Sequence, residues 1–417
     1  MLDINYIRDH ADMMRQTCVD KQLDPAVVDK LLAVDEARKA QQIVVDNLRQ
    51  QSNILVNQIK IQVAKGQKPT DQQIEQGKQI KDRLKTEEPK LTQLQAEYRS
   101  LMLEIPNPPA KDVPVGKDES GNRVIKTVGE PTKFEFTPQP HQVLMEALDW
   151  LDTKRAVRIG GFRSYFLKGQ GLLLEQALLK YGLKLLIEAG FTPMSVPILV
   201  QAPALEGTGF FPWGKADHYQ TQDGQFLTGT AEVALTSYFG GETLSYKDLP
   251  IKMCGLSPCF RREVGTYGKD TQGIIRVHQF NKVEQVVYTT ADEEETKKWH
   301  GQMVALAEKM LTNLGLPYQV LNMCTGDMGA GQRQKFDIET WFPAQGTYRE
   351  THSASYFNDF QARRLNIKYR DQDGSIKYVF TINNTMVATP RLLAACVENW
   401  QTKDGQVQIP ELIKNLM

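Results

Sequence analysis

Residues Cys259 to Glu284 read CFRREVGTYGKDTQGIIRVHQFNKVE. Two apolar-rich limbs, about Ile251 to Val264 and Gly273 to Tyr288, flank a Gly- and charge-rich segment, Gly265 to Gln272. Strand-prone runs on either side of such a segment predict a long antiparallel hairpin. The placement of charge is the informative part. Arg261, Glu263, Arg276 and Glu284 stand among Cys, Phe, Ile and Val, where a lone charge is costly to bury. Either they face a polyanionic or zwitterionic ligand, or they lace an exposed sheet face with ion pairs. The hairpin alone leaves both readings open.

Phe260-Arg261-x-Glu263, a loop, then Arg276-Val277-His278-Gln279-Phe280 resembles motif 2 of the class II aminoacyl-tRNA synthetases, and the wording HQFNKVEQ resembles the seryl-tRNA synthetase family. The remainder of the chain tests that resemblance.

With 417 residues, two or three domains are expected. Lys+Arg and Asp+Glu both number 50, so any nucleic-acid surface must be local. Cys18, Cys254, Cys259, Cys324 and Cys396 are scattered with no CxxC pair, which excludes a disulfide framework and a zinc site and suits a reducing cytosol. The start, MLDINYIRDHAD, is too polar for a signal peptide, and no apolar run reaches membrane-spanning length. A cytoplasmic protein with no membrane partner is expected.

From Val27 the steps alternate four and three through Leu31, Val34, Arg38, Gln41, Val45, Leu48, Ser52, Leu55, Ile59 and Gln62. This is a coiled-coil seam with polar breaks. Gly66 to Asp71 supplies a stop and a new helix start, and the seam resumes at Ile80, Leu84, Glu87, Leu91, Leu94, Tyr98, Leu101 and Ile105. Two long helices joined by a short turn form an antiparallel pair, each roughly 50 Å long at 1.5 Å per residue. Pro89 is expected to kink the second. Between Arg49 and Lys85 eight Lys/Arg, among them Lys60, Lys65, Lys68, Lys78, Lys81 and Arg83, face three acids. That surplus suits phosphate-backbone contact, or equally a Lys-rich solvated surface. In the resembled family this position holds a helical arm that grips the long variable arm of the tRNA.

Ile105-Pro106-Asn107-Pro108-Pro109, followed by Pro114, marks a linker. It divides residues 1–106, the arm, from 107–417, the catalytic domain. His141 to Leu151 is amphipathic, Phe162 to Gly169 reads as a short strand, and Leu172 to Ala189 as a helix feeding a Pro-bearing strand, Ser195 to Val200. The last pair resembles motif 1, which builds the family's homodimer interface. Gly207-Thr208-Gly209 resembles a mobile loop that closes over substrates. Thr228-Gly229-Thr230-Ala231-Glu232 stands at a strand-to-helix turn, where a hydroxyl, a carboxylate and free N–H groups converge. Downstream, Asp292 to Leu314 reads as a helix, and Tyr318 to Met323, Phe336 to Phe342 and Tyr348 to Ser355 as strands. The Gly-rich Asp327 to Gly331 lacks a nucleotide-fingerprint spacing. Pro390-Arg391 opens a helix after the strand from Thr381. An arginine there opposes the helix dipole, a cost that makes sense opposite an anion.

The resemblance covers the whole chain. It implies an α+β fold: a class II antiparallel β-sheet flanked by helices, with an N-terminal two-helix coiled-coil arm. It implies activation of L-serine by ATP with Mg²⁺, then transfer to tRNA(Ser) and also tRNA(Sec). Arg261 would hold the α-phosphate and Arg391, at the motif 3 position, the γ-phosphate. Arg262, Glu263, Val277, Phe280, Thr351 and His352 would complete the ATP contacts. Glu350 and Ser353 would hold Mg²⁺, and Thr230, Ala231, Glu232, Glu284 and Thr385 the serine. The motif 3 wording departs from the commoner Asn-Gly-Ser-Gly-Leu-Ala, being Asn384-Thr385-Met386-Val387-Ala388 here. Two rivals are a ligase that loads a carrier protein, whose relatives lack the arm, and a non-enzymatic binding protein.

Overall fold

The seam and the apolar strands sort the chain into two compact units in a computed structural model, which describes residues 1–264 and 273–417. One comprises Leu2–Val19 and Leu23–Ile105; the other comprises Pro106–Met417 with Met1 and Asp20–Gln22.

In the first, the short helices α1 (Ile4–Asp9) and α2 (Ala11–Asp20) precede α3 (Ala26–Ala64) and α4 (Asp71–Glu104). The seam residues Val27, Leu31, Val45, Leu48, Leu55, Ile80 and Leu91 are buried. Arg38 lies over the Tyr98 ring and Arg49 pairs with Glu88, so later residues of α3 meet earlier ones of α4: the pair is antiparallel. Gly66 (φ 77°) ends α3, and a reciprocal Thr70–Gln73 capping box starts α4. The polar seam break Gln41 donates to the Glu87 carbonyl (3.0 Å) and carboxylate (2.7 Å). Helix α4 continues through Pro89, which sits on the exposed side, where water can serve the carbonyl its ring deprives of a donor. Helices α1 and α2 were not expected. Helix α1 supplies Arg8, whose Nε lies 3.1 Å from Asp35, a carboxylate that α3 buries and that Arg38 and Lys39 of α3 also neutralise.

The second unit is built on an eight-stranded sheet: β1 (Arg123–Val128), β4 (Thr192–Ser195), β8 (Ile251–Phe260), β9 (Gln279–Thr289), β10 (Tyr318–Asn322), β11 (Gln334–Phe342), β12 (Thr347–Asn358) and β15 (Phe380–Ala388). Its order is β1-β10-β11-β12-β15-β9-β8-β4, antiparallel except for the β4/β8 edge pair. Short accessory sheets pair β2 (Leu151–Asp152) with β3 (Phe166–Leu167), β5 (Leu199–Val200) with β6 (Phe226–Leu227), and β7 (Thr243–Ser245) with β13 (Lys368–Arg370) and β14 (Ile376–Tyr378). Helices α5 (His141–Ala147), α6 (Thr153–Gly160), α7 (Gln170–Glu188), α8 (Ala202–Thr208), α9 (Glu232–Ser237), α10 (Glu293–Asn313), α11 (Phe360–Leu365) and α12 (Thr389–Asn399) flank it.

The main core lies on one face, where Leu178 and Leu185 of α7, Met303 and Met310 of α10 and Leu392 and Val397 of α12 bury Val283, Val287 and Val387. Packing is close: a Cβ on Gly182 of α7 would stand 2.4 Å from Val387. On the other face a smaller cluster from α9 and α11 covers Met253, Val286 and Tyr288. The rest of that face is left for a cleft.

Several expectations need correction. The hairpin strands are shorter than their apolar limbs, because Glu263 (φ 56°) and Gly273 (φ 72°) turn the chain away. Arg261, Glu263 and Arg276 therefore stand beyond the strand ends, and only Glu284 is on a strand. The loop Gly265 to Gln272 lies outside the described residues. The strand read over Phe162 to Gly169 reduces to Phe166–Leu167, since Arg163 adopts φ 64°. Pro197 splits the Ser195 to Val200 run between β4 and β5. Gly207 and Thr208 end helix α8, and only Gly209, at φ 87°, leaves it.

Candidate active site

The open face holds a cleft of about 350 Å³. Period-two alternation places Phe280, Lys282 and Glu284 of β9 along it, with Asn383 and Thr385 of β15 beside them. Two β-bulges then change which side chains follow. One falls between Thr385 and Val387, so Ala388 lines the cleft while Met386 and Val387 turn into the core. The other falls at Thr351 on β12, where Glu350 pairs with Glu339 and His352 with Ile338. Glu350 and Ser353 thereby share the cleft face despite their odd spacing. The bulges brace each other: His352 Nε2 lies 3.1 Å from the Met386 carbonyl, and its Nδ1 lies 2.9 Å from Thr351 Oγ1.

At one end of the cleft sits a buried polar network. Thr230 donates to Glu284 (3.0 Å) and accepts from Lys282 Nζ (3.1 Å) and from the Glu232 N–H (3.2 Å). Lys282 also pairs directly with Glu284, and both are buried. Glu284 is in register with Thr385 across β15. Glu232 accepts from Gln361 (3.0 Å), whose amide also holds the Thr208 carbonyl. Burial, and then the Glu284 carboxylate, push the Glu232 carboxyl up to about 7. Two carboxylates, one ammonium and hydroxyls in one enclosure suit a small zwitterion that carries a hydroxyl.

The other end is cationic. Arg391, on the first turn of α12, donates to the Glu350 carboxylate (2.9 Å) and carbonyl (3.0 Å). Burial alone would raise the Glu350 carboxyl, but Arg391 and Lys335 hold it well below the usual range. Lys335 pairs with Asp337 at 2.9 Å. Burial, with the Glu350 charge behind it, pushes the Asp337 carboxyl up against that pull. Arg261 lies over the Phe280 ring (5.3 Å) with its Nε donating to the Gly229 carbonyl (3.3 Å). Glu263 is paired with Arg276 at 2.6 Å. Cations beside an aromatic ring suit a polyphosphate attached to a planar base.

Residues 218–400 match the tRNA synthetase class II core domain (G, H, P, S and T), and residues 1–109 match the seryl-tRNA synthetase N-terminal domain. A serine--tRNA ligase of Deinococcus radiodurans is 41% identical over 417 residues, 99% of this chain and 97% of that protein. The chain belongs to the seryl-tRNA synthetase family. Among solved structures, seryl-tRNA synthetase from Pyrococcus horikoshii complexed with ATP superposes with a TM-score of 0.91 at 36% identity, covering 100% of this chain and 98% of that one. Cytoplasmic serine-tRNA ligase from Naegleria fowleri in complex with AMP gives 0.85 at 30% identity, with 100% and 97% covered. The seryl-tRNA synthetase fold is thus the expected α+β one, with a long helical hairpin before an antiparallel sheet.

The cleft brings together most of the residues singled out in the sequence: Thr230, Glu232, Arg261, Glu263, Val277, Phe280, Glu284, Glu350, Thr351, Ser353, Thr385 and Arg391. Three side chains face elsewhere. Arg262, one step along from Arg261, turns outward to the Ala216 carbonyl (3.0 Å). The Ala231 methyl is buried in the smaller core, in the space that Gly255 leaves open. His352 is buried against β15, where burial holds it down at about 4. Lys60, Lys65, Lys68, Lys78, Lys81 and Arg83 are all exposed, on the end of α3, the connection and the start of α4. Sequence reading missed Lys282, Lys335, Asp337, Gln361 and Asn383. Lys282 had a signal, since it stands two residues from both Phe280 and Glu284 on one strand. Gln361 had none, because its role comes from α11 packing beside α8 and α9.

Proposed function

We propose that this chain is a serine--tRNA ligase that forms seryl-adenylate from L-serine and ATP and passes the seryl group to tRNA(Ser). The observation that carries the reading is one cleft lined by Arg391, by Arg261, whose Nε meets the Gly229 carbonyl next to Thr230, and by the Thr230–Lys282–Glu284 network. The serine carboxylate attacks the α-phosphorus in line, and pyrophosphate leaves. Arg261 meets the charge growing on the α-phosphate, Arg391 clamps the γ-phosphate, Phe280 stacks on the adenine and Glu263 accepts from its amino group. Thr230, Glu232, Glu284 and Thr385 orient serine, with the Ala231 backbone at the same turn. A ribose hydroxyl of the tRNA 3′ end then attacks the carbonyl carbon, and AMP leaves. Positioning and electrostatics suffice; no covalent intermediate on the protein is required.

Glu350 and Ser353 offer hard oxygens on one face, which fits Mg²⁺. Among the described residues no cluster of three or more His, Cys, Asp or Glu could hold a metal unaided, and a cation here would complete its shell with phosphate oxygens and water. When bound, it neutralises charge on the polyphosphate. The exposed cations of the α3–α4 hairpin are read as the tRNA-binding surface of an arm, residues 1–106, serving the catalytic domain, 107–417, and tRNA(Sec) as a second acceptor. Exposed Ile159, Phe162, Phe166 and Leu172 around α6 and α7 support a homodimer interface. No described helix is long and apolar enough to cross a membrane, and five cysteines free of disulfides favour the cytoplasm.

Serine-dependent ATP–pyrophosphate exchange, run beside tRNA charging, tests the reading. Exchange dependent on serine is expected; its absence would overturn it. Exchange without charging would favour the carrier-protein alternative.

A further inference from the structure

We propose that His141, which does not line the cleft, is a positioning residue for nucleotide binding. It fixes the stretch Gly273–Val277, whose Ile275, Arg276 and Val277 form one wall. This rests on the reading of the cleft as an ATP site. His141 is the first residue of α5 and is buried. Its Nδ1 and its own main-chain nitrogen lie 2.8 and 3.1 Å from one oxygen of the fully buried Glu398, whose other oxygen accepts from the Ala344 N–H at 3.1 Å. On the far side of the ring, Nε2 accepts the Ile274 N–H at 3.2 Å. The ring is thus the neutral tautomer with its proton on Nδ1, directed at Glu398.

Gly273 fits this contact twice over. Its φ is 72°, and a Cβ there would stand 2.1 Å from His141 Nε2. One residue beyond Ile274, the Ile275 carbonyl accepts from Arg391 Nε at 3.4 Å. Glu398 and Arg391 belong to the last and first turns of one helix, α12. Helix α12 therefore grips the same short stretch at two points, through its arginine directly and through its glutamate by way of the imidazole. Without the imidazole the stretch keeps its apolar packing and the Arg391 contact but loses the bond that fixes the Ile274 N–H. The nucleotide should then suffer while the serine end, built on β9, β15 and the Thr230–Glu232 turn, does not.

The test measures ATP affinity by calorimetry with Mg²⁺, serine affinity without ATP, and thermal unfolding, all on the full chain. His141→Phe keeps a ring but loses both hydrogen bonds. It should weaken ATP at least about tenfold and leave serine within about twofold. His141→Gln places an amide oxygen near the Nε2 position and should restore most of the loss. Gly273→Ala should weaken ATP strongly in the native background and less beside His141→Ala, where the clashing ring is gone. ATP affinity at the native level in both His141→Phe and Gly273→Ala would overturn the proposal. So would ATP and serine weakening together, which marks a general structural role. Should His141→Phe fail to fold, native ATP affinity in Gly273→Ala overturns it alone. Native protein that binds ATP but fails to exchange would count against the proposed function and not against this anchor.

Discussion

Arg391 and Glu350, 41 residues apart in the chain, meet at 2.9 Å in the cleft, and Glu350 is also the residue proposed to offer Mg²⁺ an oxygen. Arg391→Ala is expected to reduce exchange by at least about a hundredfold, the loss of one preorganised charge contact being worth about 3 kcal/mol. Glu350→Gln should be milder at saturating Mg²⁺ and shift half-saturation to higher Mg²⁺, because an amide is a poorer hard-oxygen ligand. A magnesium titration of both variants decides; an unchanged Mg²⁺ dependence in Glu350→Gln removes Glu350 from the metal site.

The Glu232 carboxyl, pushed up to about 7 by burial and then by Glu284, makes folding stability depend on pH. The fold favours its protonated form, so this contribution is full below the unfolded value near 4.5 and is lost as pH rises through 7. The loss amounts to about 3 kcal/mol at most. Glu232→Gln should therefore lose less stability than native protein between pH 5 and pH 8, as read from denaturant midpoints without ligands. Parallel pH profiles for the two proteins would refute the assignment.

Thr385 is in register with Glu284 and lines the same cleft, where the proposed function places the serine side chain. Thr385→Val keeps the shape and should raise the serine KM or lower kcat. Thr385→Ser should keep serine activity and loosen the exclusion of threonine, by ~1 kcal/mol at most. Exchange with serine, threonine and alanine on all three proteins is the measurement. A valine variant equal to native protein with serine would show that Thr385 does not touch substrate.

The exposed cations near the α3–α4 connection give a separable prediction. Reversing Lys65, Lys68, Lys78 and Lys81 to Glu should leave exchange unchanged and lower tRNA charging on the order of a hundredfold, with a shallower salt dependence. Normal charging by this variant would assign the hairpin another partner.

The arm and the sheet strands were legible because their periods, 3.5 and 2, are written in apolar residues such as Leu31, Leu48 and Ile80 or Val283 and Val287. The two ends of the cleft were legible as charges out of keeping with apolar neighbours. The course of the chain at Arg261–Val264 and Gly273–His278 was not. Its backbone follows positive φ at Glu263 and Gly273 and the contact with His141, 132 residues before Gly273. Nor could spacing disclose that Arg262 turns outward while Arg261 turns in. Helices α1 and α2 escaped because they are short, 6 and 10 residues, and because the tie of α1 to the buried Asp35 through Arg8 joins residues that spacing does not connect.

The extra residues Thr351 and Met386 act on the sheet as a single inserted letter acts on a reading frame. Cleft-facing positions keep one parity before each of them, Asn383 and Thr385 or Glu350, and the opposite parity after it, Ala388 or Ser353 and Ser355. If Thr351 were taken into a regular ladder instead of bulging, the spacing of three would put Glu350 and Ser353 on opposite faces, and with Ser353 in the cleft Arg391 would lose its carboxylate partner. The count of three residues from Glu350 to Ser353 is therefore as much a part of the site as either side chain.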